Sequence, residues 1–82
     1  MKTKITTTNA TFNYICEGRD NGTIDTGYGY YRFVLEYFVL KNENELRMWD
    51  GRGLCLVIHL NNGVATIYYK DEVDLKAALN IL

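Results

Sequence analysis

The sequence contains no serine, and its only histidine is His59. The first absence excludes a serine-type triad outright, because the nucleophile is missing. The second leaves a single imidazole to act as a base, and it lies inside the apolar run 54–60. Cys16 and Cys55 are the only thiols. Cys55 and His59 share one face of a strand but stand about 13 Å apart at strand rise, too far for direct activation. Cys16 can approach only through tertiary pairing. No CxxC or HxxxH spacing marks a metal site, so neither a metal nor a cofactor is expected. Residues 20–25, Asp-Asn-Gly-Thr-Ile-Asp, lack the acidic spacing and closing glutamate of a calcium loop, and Asx turns account for them. The glycine-rich segment 27–31 has neither a GK[ST] ending nor a following helix, so it is not a phosphate loop. The chain is expected not to be an enzyme.

Charge of one sign is also missing. Nine basic residues against ten acidic ones leave a net charge of −1 and a pI near 5.7. No general attraction to phosphate backbone or anionic lipid follows. No window approaches the roughly 18 apolar residues that a membrane span needs. Residues 1–8 carry two lysines with no apolar stretch after them, unlike a secretory signal. A cytoplasmic protein without a membrane partner is expected, with both cysteines as buried thiols.

What is present is a small domain's worth of strand-forming residues. Eighty-two residues make one domain, spanning 1–82, with no room for a second core. Residues 30–40, Tyr-Tyr-Arg-Phe-Val-Leu-Glu-Tyr-Phe-Val-Leu, are the densest aromatic and branched run. Phe33, Tyr37 and Leu40 also match helical spacing, but the aromatic and β-branched content favours a strand. With period two, Tyr31, Phe33, Leu35, Tyr37 and Val39 fall on one face. Tyr30, Arg32, Val34, Glu36, Phe38 and Leu40 fall on the other, which is unusually apolar for a wet side.

Around that run the chain reads as an antiparallel meander. Phe12, Tyr14 and Cys16 alternate with Asn13 and Ile15, which predicts a strand ending near Cys16. Threonine-rich residues 2–8 are expected to pair as well. Residues 17–29 carry turn chemistry, with a brief return to strand at Thr23 and Ile24. A short strand 46–49, a turn 50–53 and a strand 54–60 follow, the last with Leu54, Leu56, Ile58 and Leu60 as an aliphatic face and Cys55, Val57 and His59 opposite. Asn61-Asn62-Gly63 predicts a hairpin onto residues 64–70. Asp71 is a good N-cap for a terminal helix, with Leu75, Ala78, Leu79 and Leu82 as its apolar stripe. The expected fold is α+β: an antiparallel four- to five-stranded meander sheet with one C-terminal helix packed on one face.

One short helix covers only one face. The other would expose several hundred Å² of mixed apolar surface, the usual mark of an interface. Barrel closure, the N-terminal segment or a second chain would each cover it; a second chain, most simply in a symmetric homodimer, is favoured. The expected protein-binding residues are Tyr28, Tyr30, Arg32, Glu36, Phe38, Trp49 and Arg52. A small acidic, tyrosine-bearing chain without catalytic groups has the make-up of a stoichiometric inhibitor. Phage or mobile-element proteins that block a host defence complex, such as anti-CRISPR proteins, work in this way, and would place the chain in host cytoplasm. That expectation is an analogy of size and missing chemistry; no motif carries it. The competing reading is a nucleic-acid module that stacks bases on Tyr30, Arg32 and Phe38, against which stand the acidic pI and Glu36 on the same face. A self-associating structural subunit is the third reading.

Overall fold

The computed structural model describes residues 1–17, 22–25 and 32–82, with the side chains of Asp25 and Arg32 left aside. Elements follow in the order β1 (Lys2–Thr7), α1 (Phe12–Cys16), β2 (Thr23–Asp25), β3 (Arg32–Val39), β4 (Asn44–Asp50), β5 (Gly53–Asn61), β6 (Val64–Tyr69) and α2 (Glu72–Ile81). Among the described residues the strands form a single six-stranded sheet in the order β1-β6-β5-β4-β3-β2, and every neighbouring pair is antiparallel. The architecture is therefore α+β, as expected, but with six strands rather than four or five. Residues 2–8 and Thr23–Ile24 both enter the sheet as expected, as β1 along β6 and the three-residue β2 along β3, and together they carry the count past five.

Local chemistry explains the turns. Asn62 and Gly63 have φ values of 48° and 79°, the paired positive angles of a two-residue hairpin loop between Asn61 and Val64. Between β4 and β5, Asp50 Oδ1 accepts from the Arg52 backbone N–H at 2.7 Å, and Gly53 takes φ 100° to re-enter the sheet. Just beyond it the pairing slips, because Trp49 faces Leu54 while Met48 faces Leu56, leaving Cys55 as an extra residue. This bulge inverts the expected alternation at the start of β5. Cys55 joins the core instead of the open face, and Leu54 leaves the aliphatic face to stand 43% exposed.

The segment predicted as a strand near Cys16 is helix α1. Thr11 Oγ1 accepts the Tyr14 backbone N–H at 3.2 Å and caps the turn. Phe12 and Ile15, three apart, point together into the core, while Tyr14 is 64% exposed. The alternation of Phe12, Tyr14 and Cys16 was the misleading signal; the spacing of three decides the burial.

Helix α2 begins with a capping box, in which Asp71 accepts from Val73 and Asp74 N–H groups and Asp74 accepts from Asp71 N–H. It packs on β5 and β6 through Ala77, Ala78 and Ile81. Its ten residues make a rod about 15 Å long, too small for six strands spaced about 4.8 Å apart. The expected cover over β3 is accordingly incomplete. Phe33 is buried and Leu35 half-buried, but Tyr37 and Val39 are exposed, with the Phe12 ring edge-on to Tyr37 at 5.7 Å. Tyr31 lies outside the described residues.

Candidate protein-binding face

Both helices pack on the same side of the sheet, where Phe33, Leu46, Met48, Leu56, Ile58 and Ile67 are buried. Among the described residues nothing covers the other side. Register sets what it displays. Val34 pairs with Trp49, Glu36 with Arg47 and Phe38 with Glu45 across β3 and β4. Arg47 faces Val57 and Glu45 faces His59 across β4 and β5, and Val57 and His59 face Tyr68 and Thr66 on β6.

The charged groups on this face are tied to one another. Arg47 Nε donates to Glu45, and its guanidinium lies over the Phe38 ring, 5.2 Å from the centroid. The hydrogen bond from Arg47 to Glu45, reinforced by their charges, holds the guanidinium pKa above its ordinary value. His59 stands between two carboxylates, with Nδ1 2.9 Å from Glu43 and Nε2 3.4 Å from Glu45. The Tyr68 ring meets the imidazole edge-on at 5.3 Å. Beside this chain of contacts, Leu54, Val57, Tyr68 and Thr3 border a shallow, open depression of about 630 Å³. The face thus alternates rigid aromatic and aliphatic area with ion pairs already oriented, the composition of protein-docking surfaces.

Of the residues expected to bind, Glu36, Phe38 and Trp49 come together on this face. Arg32 pairs with Asp25 at its β2 margin. Tyr28 and Tyr30 lie outside the described residues, as do Asn21 and the rest of the segment 26–31. Arg52 is elsewhere. It reaches Asp50 at 2.9 Å, Asp71 at 2.7 Å and Asp74 at 2.6 Å, and so fastens the β4–β5 turn to the start of α2. Arg47, His59, Tyr68 and Leu54 complete the face without having been singled out. Strand alternation does place Arg47 on the same side as Trp49, opposite Leu46 and Met48, whereas Leu54 depends on the bulge.

Compared with protein-family models, with curated proteins and with solved structures, the chain matches none. Function must be argued from this surface. Among the described residues no cluster of histidine, cysteine and carboxylate groups could hold a metal ion, and no helix is long and apolar enough to cross a membrane. No disulfide joins Cys16 and Cys55; Cys55 is buried as expected, while Cys16 is only half-buried. Burial pushes the Cys55 thiol pKa up, with its hydrogen bond to Asp50 adding to the effect.

The carboxylates around Arg52 carry a pH dependence. Hydrogen bonding from Arg52 lowers the Asp50 pKa to about 2. Because the folded pKa lies below the unfolded value of about 3.9, the stability involved is present above that value and lost as pH falls through about 2. Burial acts on Asp74 in the opposite sense, raising its pKa against the pull of Arg52, so its contribution shrinks as pH rises through the raised value. In urea titrations from pH 7 to pH 2, Asp50→Asn is expected to be less stable at neutral pH and to lose about 1–2 kcal/mol less than the wild type below pH 4. Parallel curves for the two proteins would contradict this assignment.

Proposed function

We propose that this chain is a non-catalytic protein-binding domain that docks one partner stoichiometrically through the open face of its sheet. The observation that carries the reading is the one-sided placement of α1 and α2, which leaves Trp49, Phe38, Arg47 and Tyr68 accessible to a partner. Val34, Phe38 and Leu54, at 41%, 39% and 43% exposure, supply apolar area between them. Trp, Tyr and Arg are the residue types that dominate binding energy at such surfaces. Their strands hold them rigidly, which lowers the ordering cost of binding.

A small binding domain of this kind suits a phage or mobile-element inhibitor that occupies a surface of a host defence complex, as anti-CRISPR proteins do. Glu36 and Glu43, on and beside the face, favour a basic protein surface over a phosphate backbone, and so favour this reading over nucleic-acid binding. The test is inhibition of DNA cleavage by purified CRISPR effectors, with complex stoichiometry read by native mass spectrometry. Wild type is expected to inhibit at one chain per site, and Phe38→Glu/Trp49→Ala to lose at least about tenfold in affinity. Lack of inhibition would remove the anti-CRISPR assignment. A partner bound equally well by the double variant would remove the open face as the docking surface.

A further inference from the structure

Strand β1 stands at the rim of the sheet with one side of its backbone bonded to β6. The Thr8 N–H donates to the Gly63 carbonyl at 2.9 Å, extending the ladder by one residue and setting its phase. Alternate residues bond the partner in an antiparallel pair, so Thr6, Lys4 and Lys2 turn their N–H and C=O groups toward β6. Thr3, Ile5 and Thr7 turn theirs outward, where no described segment pairs with them. Ile5 also leaves 65% of its surface exposed, an apolar side chain at the middle of this edge.

We propose that this edge joins two copies of the chain, β1 against β1, antiparallel about a two-fold axis at Ile5. Self-complementarity selects the occupant. With the axis there, Ile5 faces the partner's Ile5 and Thr3 faces the partner's Thr7, so each outward residue exchanges both of its backbone bonds. Lysine on an edge ordinarily discourages such pairing. Here Lys4 falls opposite the partner's Thr6 and Lys2 opposite the partner's Thr8, and Lys2 is already turned toward Glu72 at 3.4 Å. Moving the axis to Lys4 would set two ammonium groups face to face. Moving it to Thr6 would put Thr3 opposite the partner's Asn9, beyond the end of β1. The axis is perpendicular to the sheet, so two six-stranded sheets become one and their open faces lie on the same side. The dimer leaves Phe38 and Trp49 accessible and presents them twice; it stands whether or not the open face binds a partner.

A single-strand junction falls below the standard interface size of about 1,200–2,000 Å², so association is weak and concentration-dependent. Light scattering across a dilution series is expected to show mass rising from monomer toward dimer. Ile5→Lys sets like charges at the axis and is expected to weaken association at least about tenfold, with circular dichroism and thermal melting showing the fold intact. Ile5→Cys is expected to form a covalent dimer on mild oxidation, because Cα atoms of such a pair lie about 5.5 Å apart, within disulfide reach. Thr3→Cys, which faces the partner's Thr7, is expected not to, and both variants keep Cys16 and Cys55 as internal controls. A wild type that stays monomeric at millimolar concentration overturns the proposal. So does unchanged association of Ile5→Lys, or equal cross-linking of the two cysteine variants.

Discussion

Phe33→Ala is expected to remove about 3–5 kcal/mol of stability, while Phe38→Ala removes about 1 kcal/mol. The two residues are of one type, five positions apart on β3, and differ in the side of the sheet they occupy. Phe33 is 1% exposed and packs within the core, so truncation leaves a cavity as well as losing transfer energy. Phe38 is 39% exposed, and its loss removes partial burial and the contact with Arg47. A domain of 82 residues has a total stability of about 4–12 kcal/mol, so the first change consumes a large part of it. Urea unfolding of the two variants measures the contrast directly. Equal losses would mean that the open face is covered, and the binding reading would lose its main support.

Arg52→Ala is expected to cost about 2–3 kcal/mol, a fall in Tm of roughly 10–20 °C for a domain of this size. Its guanidinium bridges Asp50, Asp71 and Asp74, and the Asp74 side chain is fully buried. Removing the cation leaves that carboxylate without its charge partner at the point where α2 meets the β4–β5 turn. Breaking a fully buried pair costs more, about 3–5 kcal/mol, but the Arg52 side chain is 35% exposed and water screens part of the loss. Arg52→Lys is expected to recover less than half, because one ammonium cannot span three carboxylates as a planar fork does. Thermal melts of the three proteins test this. A melting temperature for Arg52→Ala within a few degrees of wild type would show that the bridge contributes little.

Most strands could be read from residue chemistry. The period-two patterns of β3, β4 and β6, the Asn-Gly hairpin and the Asp71 cap each rest on interactions among near neighbours. Thr23 and Ile24 also return to the sheet as expected, in β2. The readings that failed were those where local pattern and long-range packing disagree. At α1, alternation suggested a strand, but burial of Phe12 and Ile15 against the sheet selects a helix. At the start of β5, one inserted residue exchanges the roles of Leu54 and Cys55, and no alternation rule contains that insertion. Part of the candidate face was legible for the same reason. Glu36 and Phe38 share a strand, and Trp49 follows from the next strand's phase. Arg52 leaves the face because Asp71 and Asp74, 19 and 22 residues further on, join Asp50 in engaging it, and their approach is not visible in the chain order.

The sequence by itself determined the α+β class, the positions of the main turns, the terminal helix and the absence of serine chemistry, because composition and short-range spacing control these. Tertiary structure alone decided that β1 closes along β6, that both helices gather on one side, and that His59, Tyr68 and Leu54 join Phe38, Arg47 and Trp49 on the other. The physical reason is that strand pairing and helix docking depend on residues far apart in the chain. Which sheet face stays open is set by how much area two short helices can cover, a quantity that no local spacing encodes.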